Sequence, residues 1–118
     1  MAESKRIKSD IISEIATGFC GGMAHTDGMC GAISGGILAI NMMHGRGNPS
    51  HPREESEKKV QKLISTFNDR FKSTHCYELT GCDLGTAKGE LDYKSKDKKK
   101  LCNGLVSEAT KLTLELID

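Results

Sequence analysis

The chain has 118 residues, which is enough for a single domain over 1–118 and too few for a second domain of ordinary size. Hydrophobic residues make up 36% of the sequence and aromatic residues 4%, so the predicted core is small and mainly aliphatic. Lysine and arginine (17) nearly balance aspartate and glutamate (16), and a net charge of +1 argues against nucleic acid as a partner.

The N-terminal segment has the pattern of an amphipathic helix over residues 5–19. Its apolar side chains recur at helical spacing: Ile7, Ile11, Ile12, Ile15, Ala16 and Phe19. The first residues are polar and lack the apolar stretch of a signal peptide, and no segment is long and apolar enough to span a membrane. We therefore expect a cytoplasmic protein without a membrane span.

A glycine-rich turn is predicted over residues 20–27, with Asp27 placed to cap a nearly uncharged helix over 28–43. This helix is expected to be central and buried on most sides. Gly31 and Gly35 lie one helical turn apart, and glycines at this spacing allow a neighbouring helix or a bound group to approach closely. The sequence therefore predicts a close-approach face at these two glycines.

Two helices and a connection are predicted in the next part of the chain. Glu54–Phe71 forms an amphipathic helix, and Cys76–Thr80 forms a short helix that Gly81 ends. Residues 85–100 are rich in glycine and lysine and are predicted to be a solvated connection. The apolar stripe of the first helix comprises Val60, Leu63, Ile64, Phe67 and Phe71.

The C-terminal residues are predicted to form a last amphipathic helix. One face of this helix carries Cys102, Leu105, Val106, Ala109, Leu112, Thr113 and Leu116. The sequence contains no strand-like alternation and no hairpin signal. The predicted fold class is therefore all-α: a small bundle of four main helices plus one short helix, with a glycine-rich central helix.

Five cysteines in a cytoplasmic chain favour metal binding or redox chemistry, because reducing compartments disfavour structural disulfides. Cys30 and Cys76 are predicted to lie in the first turns of helices. Free backbone N–H groups and the helix dipole would stabilise a thiolate there and lower the thiol pKa. Cys102 is predicted on the inward face of the last helix, so three thiols are expected to converge.

The cysteine spacing excludes several well-known sites. The absence of Cys-x-x-Cys excludes a thioredoxin-like motif, a zinc ribbon and c-type haem attachment, so no haem is expected. The nearest pair in the later part of the chain, Cys76 and Cys82, is separated by five residues, which excludes a ferredoxin run. A site assembled from distant helices stays open. His25 or His75 could complete a zinc site with cysteines, although a solvated surface histidine is the more common case.

The hexapeptide from Cys30 to Gly35, Cys-Gly-Ala-Ile-Ser-Gly, resembles the Cys-Gly-Ala-x-x-Gly core of the C_GCAxxG_C_C family of redox-active proteins. Residues 16–23 resemble the glycine-rich approach to that core. Residues 76–84 and Cys102 resemble the two later cysteine regions of the family. The resemblance extends over nearly the whole chain and implies a redox role.

The family pattern has four characteristic cysteines, and three of them correspond to Cys30, Cys76 and Cys102. The resemblance implies that the fourth lies on an earlier helix, which we expect this chain to lack. Cys82 is the first choice as its substitute and Cys20 the second. Iron–sulfur cytochromes that resemble the family in its helical region favour a cluster as cofactor.

Three functions stay open from the sequence. The first is electron transfer through an iron–sulfur cluster, with Cys30, Cys76, Cys82 and Cys102 as ligands. The second is metal-free thiol/disulfide chemistry, with Cys30, Cys76 and Cys102 as the redox thiols. The third is a structural binding module or one stabilised by zinc, a metal we rank below the cluster. The expected partner is an unidentified redox partner, and a groove left by the missing helix favours a homodimer.

Overall fold

The computed structural model describes residues 12–118. These residues form α1 (Ile12–Ala16), a 3-10 helix (Thr17–Phe19), a short helical turn α2 (Cys20–Met23), α3 (Gly31–His44), α4 (Glu54–Phe71), α5 (Cys76–Thr80), α6 (Ala87–Ser95) and α7 (Lys98–Ile117). Over this range there is no strand, only an isolated antiparallel bridge between Met29 and His75. The predicted all-α class is confirmed.

The observed bounds match the sequence pattern most closely in the middle of the chain. Helices α4 and α5 begin and end where they were predicted, and α3 begins three residues later than expected, at Gly31. The predicted N-terminal helix over 5–19 is described only from Ile12, and there α1 gives way to the 3-10 helix at Thr17. The rest of that prediction lies outside the described residues.

The predicted solvated connection over 85–100 is wrong, because helix α6 occupies most of it. Thr86 caps this helix, and its hydroxyl oxygen accepts the Gly89 N–H at 3.0 Å. Gly89 is buried against the backbone of Asp83, which a side chain at this position would overlap. The glycine that weakened the helical pattern is thus the residue that allows the preceding loop to pack on the helix.

Helices α3, α4 and α7 form the core. Its buried apolar residues are Ile33, Ile40, Leu63, Phe67, Leu105, Ala109, Leu112 and Ile117. The α4 stripe packs inward as predicted, with Leu63 and Phe67 fully buried. Val106 is an exception on α7, because half of it is exposed although the pattern placed it on the inward face.

Helices α3 and α7 run in the same direction. Near their C-terminal ends, His44 Nε2 lies 3.0 Å from the Ile117 carbonyl oxygen, and Lys59 Nζ donates to the Leu116 carbonyl at 2.6 Å. At the opposite end, Cys30 and Cys102 are close enough to interact electrostatically. The N-terminal ends of both helices therefore meet at one end of the bundle.

The close-approach face on α3 differs from the one predicted. A Cβ atom added to Gly31 would lie 2.9 Å from the Phe19 carbonyl oxygen, so close approach is found at this glycine. Gly35 has no neighbour within 4 Å of an added Cβ, and the packing prediction is wrong there. The tight position is Gly36, where an added Cβ would lie 2.6 Å from Thr113 Oγ1 and 2.8 Å from Leu63 Cδ2. Both neighbours belong to the helices that cross α3.

Within residues 12–118, every helix is too short or too polar to cross a lipid bilayer.

Candidate functional site

A short antiparallel pairing joins the starts of α3 and α5. The Cys30 N–H donates to the Thr74 carbonyl at 2.7 Å, and the Cys76 N–H donates to the Gly28 carbonyl at 3.2 Å. Because side chains alternate along extended segments, Cys30 and Cys76 lie on the same face of this pairing and are diagonal neighbours. The backbone therefore holds together two cysteines that are 46 positions apart in the sequence.

A turn of left-handed backbone packs against Cys76. Five consecutive residues, Gly21–His25, have φ between 55° and 77°, and three of them are not glycine. Left-handed backbone costs about 1–2 kcal/mol for each such residue. The turn brings Gly22 so close that an added Cβ would lie 2.6 Å from the Cys76 Cβ and 2.8 Å from the Gly28 carbonyl oxygen. Strained backbone of this kind is concentrated at functional sites in proteins.

Cys30, Cys76 and Cys102 interact with one another, and we call these three residues the thiol cluster. Burial raises the pKa of the Cys30 thiol, and the charge of Cys102 adds to the rise. Burial likewise raises the pKa of Cys76, to about 11, with further contributions from the charges of Cys30 and Cys102. Each ionised thiol would therefore oppose the ionisation of its neighbours.

The helix starts were predicted to lower the pKa of Cys30 and Cys76. This prediction is wrong, because the pKa of each thiol is raised overall. The amides of Ala32 and Ile33 do lower the pKa of Cys30, and the Thr80 hydroxyl lowers that of Cys76. Burial outweighs both effects, because a thiolate removed from water loses more solvation than a few N–H or O–H groups restore.

Tyr93 of α6 lies among the cysteines. Burial raises the pKa of its hydroxyl well above the ordinary range, and the neighbouring Cys102 thiol raises it further. The charges of Cys102, Cys20 and Cys76 act in the same direction, which places the ring near all three thiols. Cys20 itself is exposed, whereas Cys30 and Cys102 are half-buried. Of Cys20 and Cys82, the two candidates for a fourth cysteine of the site, Cys20 shares the surroundings of Tyr93.

Cys82 has a different environment. It is buried, with 3% of its surface exposed, and its thiol donates to the Thr80 carbonyl at 3.6 Å. Cys82 and Cys76 line the same shallow cleft, together with Asp27 and Asp83. Its predicted role as a ligand or redox thiol stays a prediction.

Asp27 caps α5 rather than the helix that follows it in the sequence. Its Oδ1 accepts the Tyr77 N–H at 3.0 Å, across 50 residues of chain. The cap orients the first turn of α5, which begins with Cys76. The charge of Asp27 is also one of the groups that raise the pKa of Cys76.

The donor groups of the described residues do not fit a preformed metal site. Among residues 12–118, no three His, Cys, Asp or Glu side chains are arranged to hold a metal ion. His25 and His75 are both exposed, and His25 Nδ1 lies 3.2 Å from the Leu84 carbonyl oxygen. The iron–sulfur and zinc assignments therefore stay predictions.

Three residues of the site were not singled out from the sequence: Tyr93, Thr80 and Asp83. Tyr93 lies in the segment predicted to be a connection, and its role depends on how α6 packs against α7. Thr80 carried a local signal, since it follows Cys76 by four residues and a threonine hydroxyl can bond the carbonyl one turn earlier. It does so at 2.9 Å, and its oxygen also accepts the Cys82 N–H at 3.1 Å.

The fold and these side chains define a class of protein: a small all-α protein with several cysteines gathered at one end of a helical bundle. The chain belongs to the C_GCAxxG_C_C family, described as "Putative redox-active protein (C_GCAxxG_C_C)", whose model matches residues 1–116. No curated protein and no solved structure was found to match the chain. The family assignment therefore stands on the family model and on the cysteine pattern itself.

Proposed function

We propose that this protein is a thiol/disulfide redox protein in which Cys30 and Cys76 form a reversible disulfide. The observation that supports this function best is the antiparallel pairing that holds the two cysteines on one face beside Cys102. Diagonal neighbours in such a pairing have Cα atoms about 7–8 Å apart. Disulfide-bonded residues have Cα atoms about 5.5–6 Å apart. Disulfide formation therefore requires the two segments to close by about 1–2 Å, and the hydrogen bonds of the pairing must adjust with them.

The proposed reaction is exchange with the disulfide of a partner. The Cys30 thiolate attacks one sulfur of the partner disulfide, which forms a mixed disulfide and releases one partner thiolate. The Cys76 thiolate then attacks Cys30 Sγ and releases the second partner thiolate. The two released thiolates take up the two protons lost by the cysteines. In total, two thiols of this protein are oxidised and one partner disulfide is reduced to two thiols.

The roles of the two cysteines follow from their surroundings. Cys30 is half-buried, whereas only 7% of the surface of Cys76 is exposed, so a partner disulfide reaches Cys30 first and Cys76 resolves the mixed disulfide. The raised pKa values imply that the attacking thiolate is scarce near neutral pH. Exchange should therefore accelerate by about tenfold for each pH unit until the pH approaches the pKa of Cys30.

The test is a thiol count across a series of redox buffers made from reduced and oxidised dithiothreitol. The wild type should lose two titratable thiols reversibly without forming dimers, because both sulfurs belong to one chain. Cys30→Ser and Cys76→Ser should each abolish this reversible loss. Cys20→Ser is the matched control and should preserve it, since Cys20 is exposed and outside the proposed pair.

Iron–sulfur electron transfer is the competing function, and the same preparation tests it. Protein purified without oxygen that contains bound iron, and that loses visible absorption when Cys30 or Cys76 is changed to serine, would favour the cluster. A wild type with neither iron nor a reversible pair of thiols would exclude both redox functions. The structural module would then account better for the cysteines.

A further inference from the structure

The C-terminal end of α7 is held by side chains from two other helices. His44, the last residue of α3, has Nε2 at 3.0 Å from the Ile117 carbonyl oxygen. Lys59 of α4 donates from Nζ to the Leu116 carbonyl at 2.6 Å. The last turn of α7 has no basic residue of its own. The carbonyls at the negative end of this 20-residue helix are therefore capped by its neighbours.

Both ring nitrogens of His44 face groups that only accept hydrogen bonds. Nε2 faces the Ile117 carbonyl oxygen, and Nδ1 lies 3.2 Å from Oε1 of Glu55 on α4. A neutral imidazole has a single N–H and can donate to only one of these oxygens. The imidazolium has two N–H groups and donates to both. The geometry therefore matches the protonated ring, because a neutral ring would turn a nitrogen lone pair toward an oxygen.

Charged groups from both neighbouring helices act on the His44 ring. Its side chain is 21% exposed and that of Glu55 is 70% exposed, so the ion pair between them is partly screened by solvent. The negative end of the α7 dipole also favours the imidazolium, as does the carboxylate of Asp118, which follows Ile117. The ammonium group of Lys59, on the adjacent carbonyl, opposes it. The negative groups outnumber this cation, so protonation and closure of both contacts reinforce each other.

We propose that His44 is a pH-sensitive latch that fastens the C-terminal end of α7 to α3 and α4. The latch is closed when the ring is protonated, and it loses one of its two contacts when the ring is neutral. Histidine is the side chain that ordinarily changes charge between about pH 5 and pH 8. The latch lies at the C-terminal ends of α3 and α7, whereas the thiol cluster lies at their N-terminal ends. The inference therefore does not depend on the proposed redox function.

Urea denaturation of the reduced protein at pH 5 and pH 8 tests the latch. Stability that depends on a protonated group is present at low pH and is lost as the pH rises. The unfolding equilibrium constant of the wild type, divided by that of His44→Gln, should therefore rise by about three- to tenfold from pH 5 to pH 8. His51→Gln is the matched control, since His51 is exposed in the loop before α4. The corresponding ratio for this variant should not change with pH.

A second variant leaves the histidine in place and tests its ion pair. Glu55→Gln retains the Oε1 acceptor but removes the negative charge, so the ratio of its unfolding constant to that of His44→Gln should rise less with pH than the wild-type ratio does. Glu54→Gln changes the neighbouring exposed carboxylate of α4 and should behave like the wild type.

Three outcomes would overturn the latch. The first is a wild-type ratio that stays constant or falls from pH 5 to pH 8, because the folded protein would then not favour the imidazolium. The second is an equal change for His51→Gln, and the third is a pH dependence that Glu55→Gln leaves intact. None of these results bears on thiol exchange, because the protein is kept reduced throughout.

Discussion

The middle and the N-terminus of α3 are held by different kinds of contact. In the middle of the helix, Gly36 meets the ends of the Thr113 and Leu63 side chains, which belong to α7 and α4. At its N-terminus, the neighbours are main-chain groups: the Gly28 and Thr74 carbonyls, and the left-handed turn around Gly22. Side chains can change rotamer when a neighbour grows, whereas a backbone held by hydrogen bonds cannot move alone.

The protein should therefore tolerate substitutions better in the helical core than at the thiol cluster. The helical core is specified by apolar spacing and can adjust its packing. The thiol cluster depends on a few backbone contacts between segments far apart in sequence, so small changes there should have larger effects. Substitutions of single glycines and alanines compare the two regions directly, because they change one methyl group at a time.

The largest effect is expected for Gly22→Ala, which should lower the free energy of unfolding by about 3 kcal/mol or more. The methyl group would meet the Cys76 Cβ and would also require a left-handed alanine, at φ +77°. Gly81→Ala is the matched control, because Gly81 has φ +72° but no neighbour within 4 Å. Gly81→Ala should lower the free energy of unfolding only by the cost of a left-handed alanine, about 1–2 kcal/mol. Equal losses in urea denaturation would show that Gly22 is not crowded by Cys76.

The second comparison uses two adjacent glycines of α3. Gly36→Ala should lower the free energy of unfolding by about 1–3 kcal/mol, because the new methyl group presses on Thr113 and Leu63. Gly35→Ala should raise it by about 0.5–1 kcal/mol, since a helical glycine is replaced where space is open. Both values come from equilibrium denaturation. The same sign for both variants would contradict the packing described for this helix.

The third prediction concerns pH under reducing conditions. The pKa of Cys76 is raised from 9.0 to about 11 in the folded protein, so the folded state keeps a proton that the unfolded chain loses. The free energy of unfolding should therefore be unaffected by Cys76 below pH 9 and should fall as the pH rises from 9 to about 11. Subtracting the profile of Cys76→Ser isolates this contribution. Parallel profiles for the two proteins would show that Cys76 ionises as easily in the folded state as in the unfolded chain.

The smallest effect is expected for Ala24→Gly, which should raise the free energy of unfolding by about 0.5–1 kcal/mol. Ala24 is exposed and has φ +55°, where glycine is favoured over alanine. Ala39→Gly, in the middle of α3, is the control and should destabilise the protein instead. Destabilisation by Ala24→Gly would mean that the turn is not left-handed in solution.

The sequence predicted the helices that are determined by short-range features, namely apolar spacing and helix-ending glycines. The bounds of α4 and α5 followed from the spacing of Leu63 and Phe67 and from Gly81 after the last turn. Helix α6 was not predicted because Gly89 weakens the helical pattern. This glycine is needed for a tertiary contact, the close approach of the Asp83 backbone, which the spacing of residues in the sequence does not reveal.

In the candidate site too, the features set by local sequence were predicted and those set by tertiary packing were not. The sequence identified Cys30, Cys76 and Cys102 from their positions relative to helices. It misjudged their pKa because the helix start is visible in the pattern while the extent of burial is not. Tyr93 could not be predicted, since its place beside Cys102 depends on how α6 packs against α7.

Disulfide mapping of the oxidised wild type shows whether Cys30 and Cys76 form the reversible pair. The protein is oxidised with a small excess of a neutral disulfide, the remaining thiols are alkylated, and the cross-linked peptides are identified by mass spectrometry. We expect one intramolecular cross-link, between Cys30 and Cys76, with Cys82 and Cys102 recovered as alkylated thiols. A cross-link that joins Cys76 to Cys82, or one that joins two chains through Cys20, would contradict it.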